Sequence, residues 1–591
     1  MTDSIICTLG QYDIPIIQMQ PAFQVDLLDT NLAIYGSTMN GKTNMLRLII
    51  NIIHKKRTEK NEQIFILDFG GALSAYEKMP LVSAYFDNSN EEYVKRIFKI
   101  MDLIFKENTK QLNGKIYKNA DENDKPIHTT FIIDNLNSFI NETRYSAYHE
   151  KFGRLCRDGS SKGISIIFTA TEYKGTGAYL LSFKQKVGLN MPVDNYMDIF
   201  NSKMDAAGNL PGRGYANVTV KPEGVTGTFQ MNSPYEIQAF LAEDIEDQES
   251  EFVQKLNQKF AKKTDIDINN PYVEQYGRHV KERYKSFPQE LLREDYEQLK
   301  EKEIAKANTS IEVGLDYVKC NPVSVDFNAS RVLAIYGKKE FGKTNMLSLM
   351  MEDLSKKLPH AKYVFFDDGR KQLQSFYDEY TQRGLNCQII NQFKEVPLEY
   401  TAGEFGEQSI VRKKLSPIQQ FYLMLHNNYI DMKVDYMDIL ESIYGRVYED
   451  QIPDSKADLQ TGPTVFLIQS KSIYINSKLN AEFIRYILPE LLDVAEDRDY
   501  YFVFTDVKKI TDSEVNSIFN STLKAIFLLD NIAEFASERG SKTVFGDMDI
   551  KSLKEEYAKC EIGDGFFYDV EADNIKKIKI IKNNWEDNLD E

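Results

Sequence analysis

Residues 31–46 read NLAIYGSTMNGKTNML and residues 331–347 read RVLAIYGKKEFGKTNML. One strand–loop–helix signature is therefore written twice, 301 positions apart, and each copy constrains the fold around it. In both, a short apolar run (LAIY) enters G-x-x-x-x-G-K-T and an apolar helix leaves it, the order that a phosphate-binding loop requires. Gly36 and Gly41, like Gly337 and Gly342, permit the backbone curl that turns successive N–H groups toward one anion. The loop amides belong to Ser37, Thr38, Met39 and Asn40 in the first copy, and to Lys338, Lys339, Glu340 and Phe341 in the second. Lys42 and Lys343 are placed to reach β- and γ-phosphates, and Thr43 and Thr344 to offer a hydroxyl to Mg²⁺. The helices that open through Asn44 and Asn345 add their positive N-terminal ends. ATP and Mg²⁺ are the ligands that this pattern calls for.

A chain of 591 residues is long enough for two or more domains. The loop spacing divides it into a first P-loop module over 1–243, a charged connector and strap over 244–308, and a second module over 309–591. The expected architecture is α/β, two tandem P-loop NTPase modules of RecA-like type, each a mainly parallel sheet flanked by helices. The longest apolar stretches, such as Met45–Ile53 with its internal Arg47, fall short of a membrane span. The N-terminus has neither the basic flank nor the apolar core of a signal peptide. Cys7, Cys156, Cys320, Cys387 and Cys560 are scattered without a C-x-x-C pair, which points to a reducing compartment and away from a zinc site. A net charge of −17 supplies no general electrostatic attraction for nucleic acid.

In the first module, QIFILDFGG (Gln63–Gly71) reads as a buried parallel strand ending in Asp68. Tyr93, Ile97, Phe98, Met101 and Ile104 recur at helical spacing, and the polar stretch Glu107–Lys125 reads as an exposed loop. HTTFIID then ends a β-prone run in Asp134, the Walker B arrangement, in which the carboxylate holds the water shell of Mg²⁺ opposite Thr43. Asn135 follows, where an ATPase usually has a glutamate that deprotonates the attacking water. An amide cannot take that proton, and general-base help is typically worth ~10²–10⁴-fold in rate. Slow or absent hydrolysis is expected unless another acid, such as Glu172, substitutes. Arg154–Ile164 reads as a helix end with a glycine stop, leading to the strand Ser165–Thr171. Thr169 or Thr171 could sense the γ-phosphate. Arg157 is either an arginine donated to a neighbouring nucleotide or a helix C-terminal charge.

These blocks, with the LDFGG strand, the R-x-G-x-x-x-GI approach to the third strand, and the late Pro211-Gly212-Arg213-Gly214-Tyr215 followed by Thr228-Phe229-Gln230, resemble the FtsK/SpoIIIE family of P-loop motors. The tandem arrangement with an eroded second copy is similar to the cytoplasmic ATPase modules of bacterial type VII secretion motors. That resemblance implies secreted protein substrates, other secretion-system subunits and assembly into a homo-oligomer, a hexamer in the full machine. It also implies work at the cytoplasmic face of the cell membrane, reached through a further N-terminal part. Two alternatives stay open: a DNA translocase, the better-known activity of the family, and a scaffold that binds protein partners only.

The second module reads as a damaged copy. Asp367 answers Asp68, Thr505 answers Thr169, and Gly563-Asp564-Gly565-Phe566 answers Gly212-Arg213-Gly214-Tyr215. The counterpart of Phe131–Asp134 is Phe466-Leu467-Ile468-Gln469, so the metal-binding carboxylate has become an amide, with Ser470 at the base position. Mg²⁺ relies on carboxylates and phosphate oxygens, so no hydrolysis is expected here. Between the modules, Phe252, Val253, Leu256 and Phe260 share one helical face, and Tyr284–Asn308 reads as a strap packed on a domain. The acidic tail beyond Lys582, with Trp585, is expected to fray.

Overall fold

The computed structural model describes residues 4–15, 18–89, 91–121, 124–224, 230–260, 287–288, 290–299, 310–328, 330–369, 371–402, 407–429, 437–445, 462–469, 482–505, 523–529, 532, 560–569 and 574–583. They belong to two compact units, Met1–Ser286 and Phe287–Glu591. Thr228, Phe229, Ser470 and the tail from Asn584 lie outside the described residues.

The first unit is built on a ten-stranded sheet. Its strands are β1 (Ile6–Asp13), β2 (Ala22–Asp26), β3 (Leu32–Tyr35), β4 (Glu62–Asp68), β5 (Val82–Asp87), β6 (His128–Asp134), β7 (Ile164–Ala170), β8 (Gln185–Leu189), β9 (Arg213–Asn217) and β10 (Pro234–Ala239). Their spatial order is β2-β1-β10-β9-β8-β3-β7-β6-β4-β5. From β8 to β5 every pairing is parallel, whereas β9, β10, β1 and β2 extend the sheet antiparallel. The division follows from burial. Every residue of β3, β6 and β7 is buried, as strands covered on both faces must be. β2 instead alternates between buried and half-buried residues along its length, the mark of a strand covered on one face.

Helix α1 (Lys42–Lys56) packs on one face of the sheet, burying Met45, Leu46, Ile49, Ile50 and Ile53 in a cluster with Ile34, Ile66, Ile132 and Ile167. The opposite face carries α2 (Glu91–Leu112), α3 (Leu136–Asn141) and α4 (Ser146–Asp158), joined by aromatic contacts around Phe98. Its ring lies 4.7 Å from Phe139, 5.8 Å from Phe131 and 6.1 Å from Phe152. The expected exposed loop over Glu107–Lys125 is corrected here. Helix α2 continues to Leu112 with Asn108 and Leu112 buried, and a short turn at Tyr117–Asn119 tucks Tyr117 inside. Asn108 Nδ2 donates to the Lys162 carbonyl at 2.8 Å, so a residue that looks solvated in sequence ties the helix to the approach of β7. After β10 the helix Glu251–Phe260 buries Phe252, Val253 and Leu256, and Lys259 Nζ donates to the carbonyls of His54 (2.7 Å), Lys55 (3.0 Å) and Arg57 (2.6 Å). That ammonium caps the C-terminal end of α1, where the helix dipole favours a cation.

The second unit contains β11 (Leu291–Leu292), β12 (Ser310–Asp316), β13 (Pro322–Asp326), β14 (Val332–Gly337), β15 (Lys362–Asp367), β16 (Asn386–Ile390), β17 (Lys394–Ala402), β18 (Glu407–Leu415), β19 (Thr464–Gln469), β20 (Tyr500–Thr505), β21 (Leu523–Leu528), β22 (Asp564–Asp569) and β23 (Asn574–Lys582). The main sheet runs β13-β12-β23-β22-β21-β14-β20-β19-β15-β16, which matches the first unit strand for strand. Duplication therefore extends well beyond the loops, to regions with little residue identity. Among the described residues two additions distinguish this unit. A two-stranded ribbon, β17–β18, follows β16 and leads into the helix Pro417–Asn428, whose Ser416 and Gln419 form a capping box. The strap contributes β11, which pairs in parallel with β23, and the helix Arg293–Leu299, with Tyr296 buried.

Candidate functional site

Strand β3 lies between β8 and β7, and its loop emerges at the carboxyl edge where neighbouring strands run to different sides, the usual place for a ligand in an open parallel sheet. Met39 (φ 65°) and Gly41 (φ 96°) are both left-handed, which curls the loop just before Lys42 opens α1. Gly36 N donates to Ala170 O (3.1 Å) and Ser37 N to Asn190 O (2.9 Å), so the loop is anchored to the ends of both neighbouring strands. Gly41 allows no side chain: a Cβ there would stand 3.0 Å from Gly212 N, which donates to Asn40 O at 3.0 Å. Lys42 Nζ donates to the carbonyls of Gly36 (2.7 Å) and Ser37 (3.0 Å). Partial burial lowers its pKa, while the nearby Asp134 carboxylate opposes the shift.

The carboxylates sit on adjacent strands in register, with Asp68 opposite Asp134. Asp68 holds the turn after β4 together: its oxygens accept from the amides of Gly70 (2.9 Å), Gly71 (2.8 Å) and Leu73 (2.7 Å) and from Tyr85 Oη (3.1 Å). Asp134 keeps its carboxylate for the loop. Thr43 Oγ1 donates to its Oδ2 at 3.3 Å, and Thr169 Oγ1 donates to its Oδ1. Burial raises the Asp134 pKa, and the charge of Asp68 adds to that; the two hydroxyls and Lys42 act the other way. A serviceable Mg²⁺ site needs such a hydroxyl–carboxylate pair beside the phosphate amides, and Thr43 with Asp134 fits it.

Asn135 occupies the base position in a left-handed conformation (φ 66°, ψ 66°), which Asn tolerates better than most residues. Its N–H donates to Thr169 Oγ1 at 2.8 Å and its side chain to Ser138 Oγ at 2.8 Å, so the amide is committed to the start of α3. Thr171 hydrogen-bonds Asn137 Oδ1 (3.2 Å), and Glu172 is exposed, with its carbonyl accepting from Asn137 Nδ2 (3.1 Å). Of the two threonines, Thr169 is the one brought to the Asp134 carboxylate. Arg157 lies in the last turn of α4.

The second loop has the same backbone: Glu340 (φ 68°) and Gly342 (φ 86°) repeat the left-handed pair, and Lys343 Nζ donates to Gly337 O at 3.2 Å. Lys338 N donates to Leu528 O (3.0 Å), as Ser37 does to Asn190. Asp367 opposes Gln469 and Gln469 opposes Thr505, so the aligned positions coincide in space. The chemistry differs. Gln469 Nε2 donates to Gln372 Oε1, whereas its own Oε1 and Thr505 Oγ1 are buried without a partner among the described residues. Thr344 is exposed. An amide in place of the carboxylate offers no charge to a divalent ion, so these residues do not fit Mg²⁺.

Two devices of the site escape a reading of one copy alone. Asn44 Nδ2 donates to Phe240 O (2.8 Å) while its Oδ1 accepts from Ala242 N (2.9 Å). Asn345 does the same to Ile581 O (3.0 Å) and Asn583 N (2.7 Å). Both side chains clamp the end of the unit's last strand, and the residues that follow it, to the loop helix. The signal was present in the repeated GKTN, but its meaning depends on a partner about two hundred residues away. The second device is an ion cluster of inverted polarity. Arg213 on β9 pairs with Glu236 (2.7 Å) and Asp13 (2.9 Å), whereas Asp564 on β22 pairs with Lys579 (3.1 Å) and Lys577 (3.5 Å). Tyr317 Oη donates to the same carboxylate at 2.5 Å. Each cluster is internally complementary: Arg213 gives way to Asp564 and, on the neighbouring strand, Glu236 to Lys577, so the pairing survives the inversion of the central charge.

Two solved structures share this arrangement across almost the whole chain. EssC (ATPases 2 and 3) from Geobacillus thermodenitrificans is 16% identical with a TM-score of 0.55, covering 97% of this chain and 96% of that one. Thermomonospora curvata EccC (ATPases 2 and 3), solved in complex with a signal sequence peptide, is 14% identical with a TM-score of 0.52 over 98% and 93%. The chain carries the tandem-ATPase fold of the EssC/EccC proteins. Sequence comparison agrees. The ESX secretion system protein YukB of Bacillus subtilis is 26% identical over 360 residues, covering 58% of this chain and 22% of YukB. The EccC protein of Geobacillus thermodenitrificans is 22% identical over 377 residues, covering 60% and 23%. The matches thus span less than a quarter of these relatives. No protein-family model matches the chain. With this fold, the paired strand orders are two P-loop modules, the second of which repeats the loop geometry of the first and carries Gln469 where the first carries Asp134. Among the described residues no helix is long and apolar enough to cross a membrane.

Proposed function

We propose that this EssC/EccC-like pair is the ATP-binding part of a type VII protein secretion motor, in which only the first module binds Mg-ATP and hydrolyses it slowly or not at all. The observation that carries the reading is the line Thr43–Asp134–Thr169 beside Lys42, with Asn135 turned to Ser138 where a base would stand. Bound Mg²⁺ would neutralise charge on the β- and γ-phosphates. The loop amides and Lys42 would orient the phosphates, and Thr43 and Asp134 would hold the metal. The second module, with Gln469 and Thr505, would serve structure or docking.

The secretion role is supported by the ESX proteins that this chain resembles. Docking of a secreted protein through a peptide signal is supported by the EccC structure that holds a signal sequence peptide. Work as a hexamer at the cytoplasmic face of the membrane, through a part of the protein beyond this chain, belongs to the same reading. A net charge of −17 weighs against a DNA translocase. Calorimetry with Mg-ATP tests the proposal: one site per chain is expected, lost in Lys42→Ala and retained in Lys343→Ala. Absence of any nucleotide affinity in the unaltered chain would leave a scaffold that binds protein partners only.

A further inference from the structure

The flank of the first loop is made of two backbone segments that converge on it. The turn Leu210–Gly212 touches the loop through Gly212, and Ala239 N donates to Gly212 O at 2.9 Å. Gln238 Nε2 donates to Pro211 O at 3.2 Å, and the next residues, Phe240 to Ala242, are gripped by Asn44 one position after Thr43. These short segments present large apolar side chains to solvent: Leu210 is 66% exposed, Phe240 42% and Leu241 86%. Apolar side chains gathered around a functional loop mark a surface that something covers.

A nucleoside triphosphate has a charged tail that needs amides and a cation, and a flat base that gains from apolar contact. The tail is served by the loop, and the flank begins where the loop ends. The second module offers a contrast at equivalent positions. Ile581, the counterpart of Phe240, is 0% exposed, and Lys582 pairs with Glu290 at 2.9 Å. There β11 lies along Ile581 and Lys582, so the chain's own strap covers a segment whose counterpart in the first module pairs with no such strand among the described residues.

We propose that Leu210, Phe240 and Leu241 form the base subsite of the first module, the seat of the purine ring, and that the strap has replaced it in the second. This rests on the reading of the first loop as a nucleotide site. Covering roughly 60 Å² of apolar surface corresponds to about a tenfold gain in affinity. The test is calorimetry on the full chain carrying Lys343→Ala, with Mg-ATP and, separately, Mg-tripolyphosphate, which has the tail without the base. ATP should bind the more tightly of the two. Phe240→Ser/Leu241→Ser should weaken ATP by about tenfold and leave tripolyphosphate unchanged. If the double variant fails to fold, Leu241→Ser alone should weaken ATP by about threefold. Equal affinity for the two ligands, or loss of both in the variant, would overturn the subsite while leaving the phosphate site standing. An ATP affinity that the variant leaves intact would place the base elsewhere. If neither ligand binds, the nucleotide reading falls and this inference with it.

Discussion

Thr169 and Thr505 occupy the same position in two sheets of the same order, yet the same substitution should act on them with opposite sign. Thr169 Oγ1 donates to Asp134 and accepts from Asn135 N at 2.8 Å. Thr169→Val keeps the shape and the β-branching that a buried strand favours, but it leaves a buried carboxylate oxygen and a backbone N–H without their partner. At about 1–3 kcal/mol for each group left unpaired, the first module should lose about 2–6 kcal/mol. Thr505 Oγ1 is buried with no partner among the described residues, and Gln469 Oε1 beside it in register is equally unpaired. An unpaired buried hydroxyl costs about 1–3 kcal/mol in proteins, so Thr505→Val should be neutral or stabilising by about 1–2 kcal/mol. A chain of two units need not unfold in one step, so the readout should be local. Hydrogen exchange in low urea would follow peptides spanning Ile164–Ala170 and Tyr500–Thr505 in each variant. Faster exchange of the first peptide in Thr169→Val, with unchanged or slower exchange of the second in Thr505→Val, is expected. Equal destabilisation of both modules would refute the view that loss of the carboxylate left Thr505 without a task.

Asp134→Asn should stabilise the metal-free chain slightly at neutral pH, because a buried charge is removed, and should abolish the Mg²⁺ enhancement of ATP binding; thermal unfolding and calorimetry check the two halves. The raised pKa of Asp134 means that the folded chain holds this proton where the unfolded chain releases it. Its contribution to stability is therefore present below the ordinary carboxylate pKa and lost as pH rises through the raised value. Mg²⁺ affinity follows the opposite course, falling on acidification at a higher pH than for an ordinary exposed aspartate. Asn135→Glu should increase phosphate release by ~10-fold or more, short of the ~10²–10⁴ of a well-placed base, since Glu must take up the left-handed backbone at about 1–2 kcal/mol. An unchanged rate with intact ATP affinity would show that the base comes from elsewhere. Asn44→Ala removes two hydrogen bonds and should cost about 1–3 kcal/mol, seen as faster exchange at Phe240–Ala242.

The amino-acid sequence alone determined the local chemistry of the loops. A glycine-bounded turn before Lys-Thr adopts its curl from backbone sterics, which act within a few residues, so both loops were legible with their left-handed Gly41 and Gly342; the left-handed Met39 and Glu340 were not, because neither side chain asks for that conformation. The fate of the carboxylates was legible too, since Asp134 and Gln469 end matching apolar runs and strand register carries them to the same edge. Tertiary structure decided everything that needs a distant partner. Helix α2 runs through the polar Glu107–Leu112 because Asn108 and Leu112 find burial against the approach to β7. Asn44 and Asn345 act on segments about two hundred residues away, and Arg213 and Asp564 exchanged sign only because their neighbours on β10 and β23 exchanged with them. The antiparallel wing and the strap beside β23 are likewise pairings across long separations, and hydrogen bonds between remote backbones leave no pattern in either strand by itself.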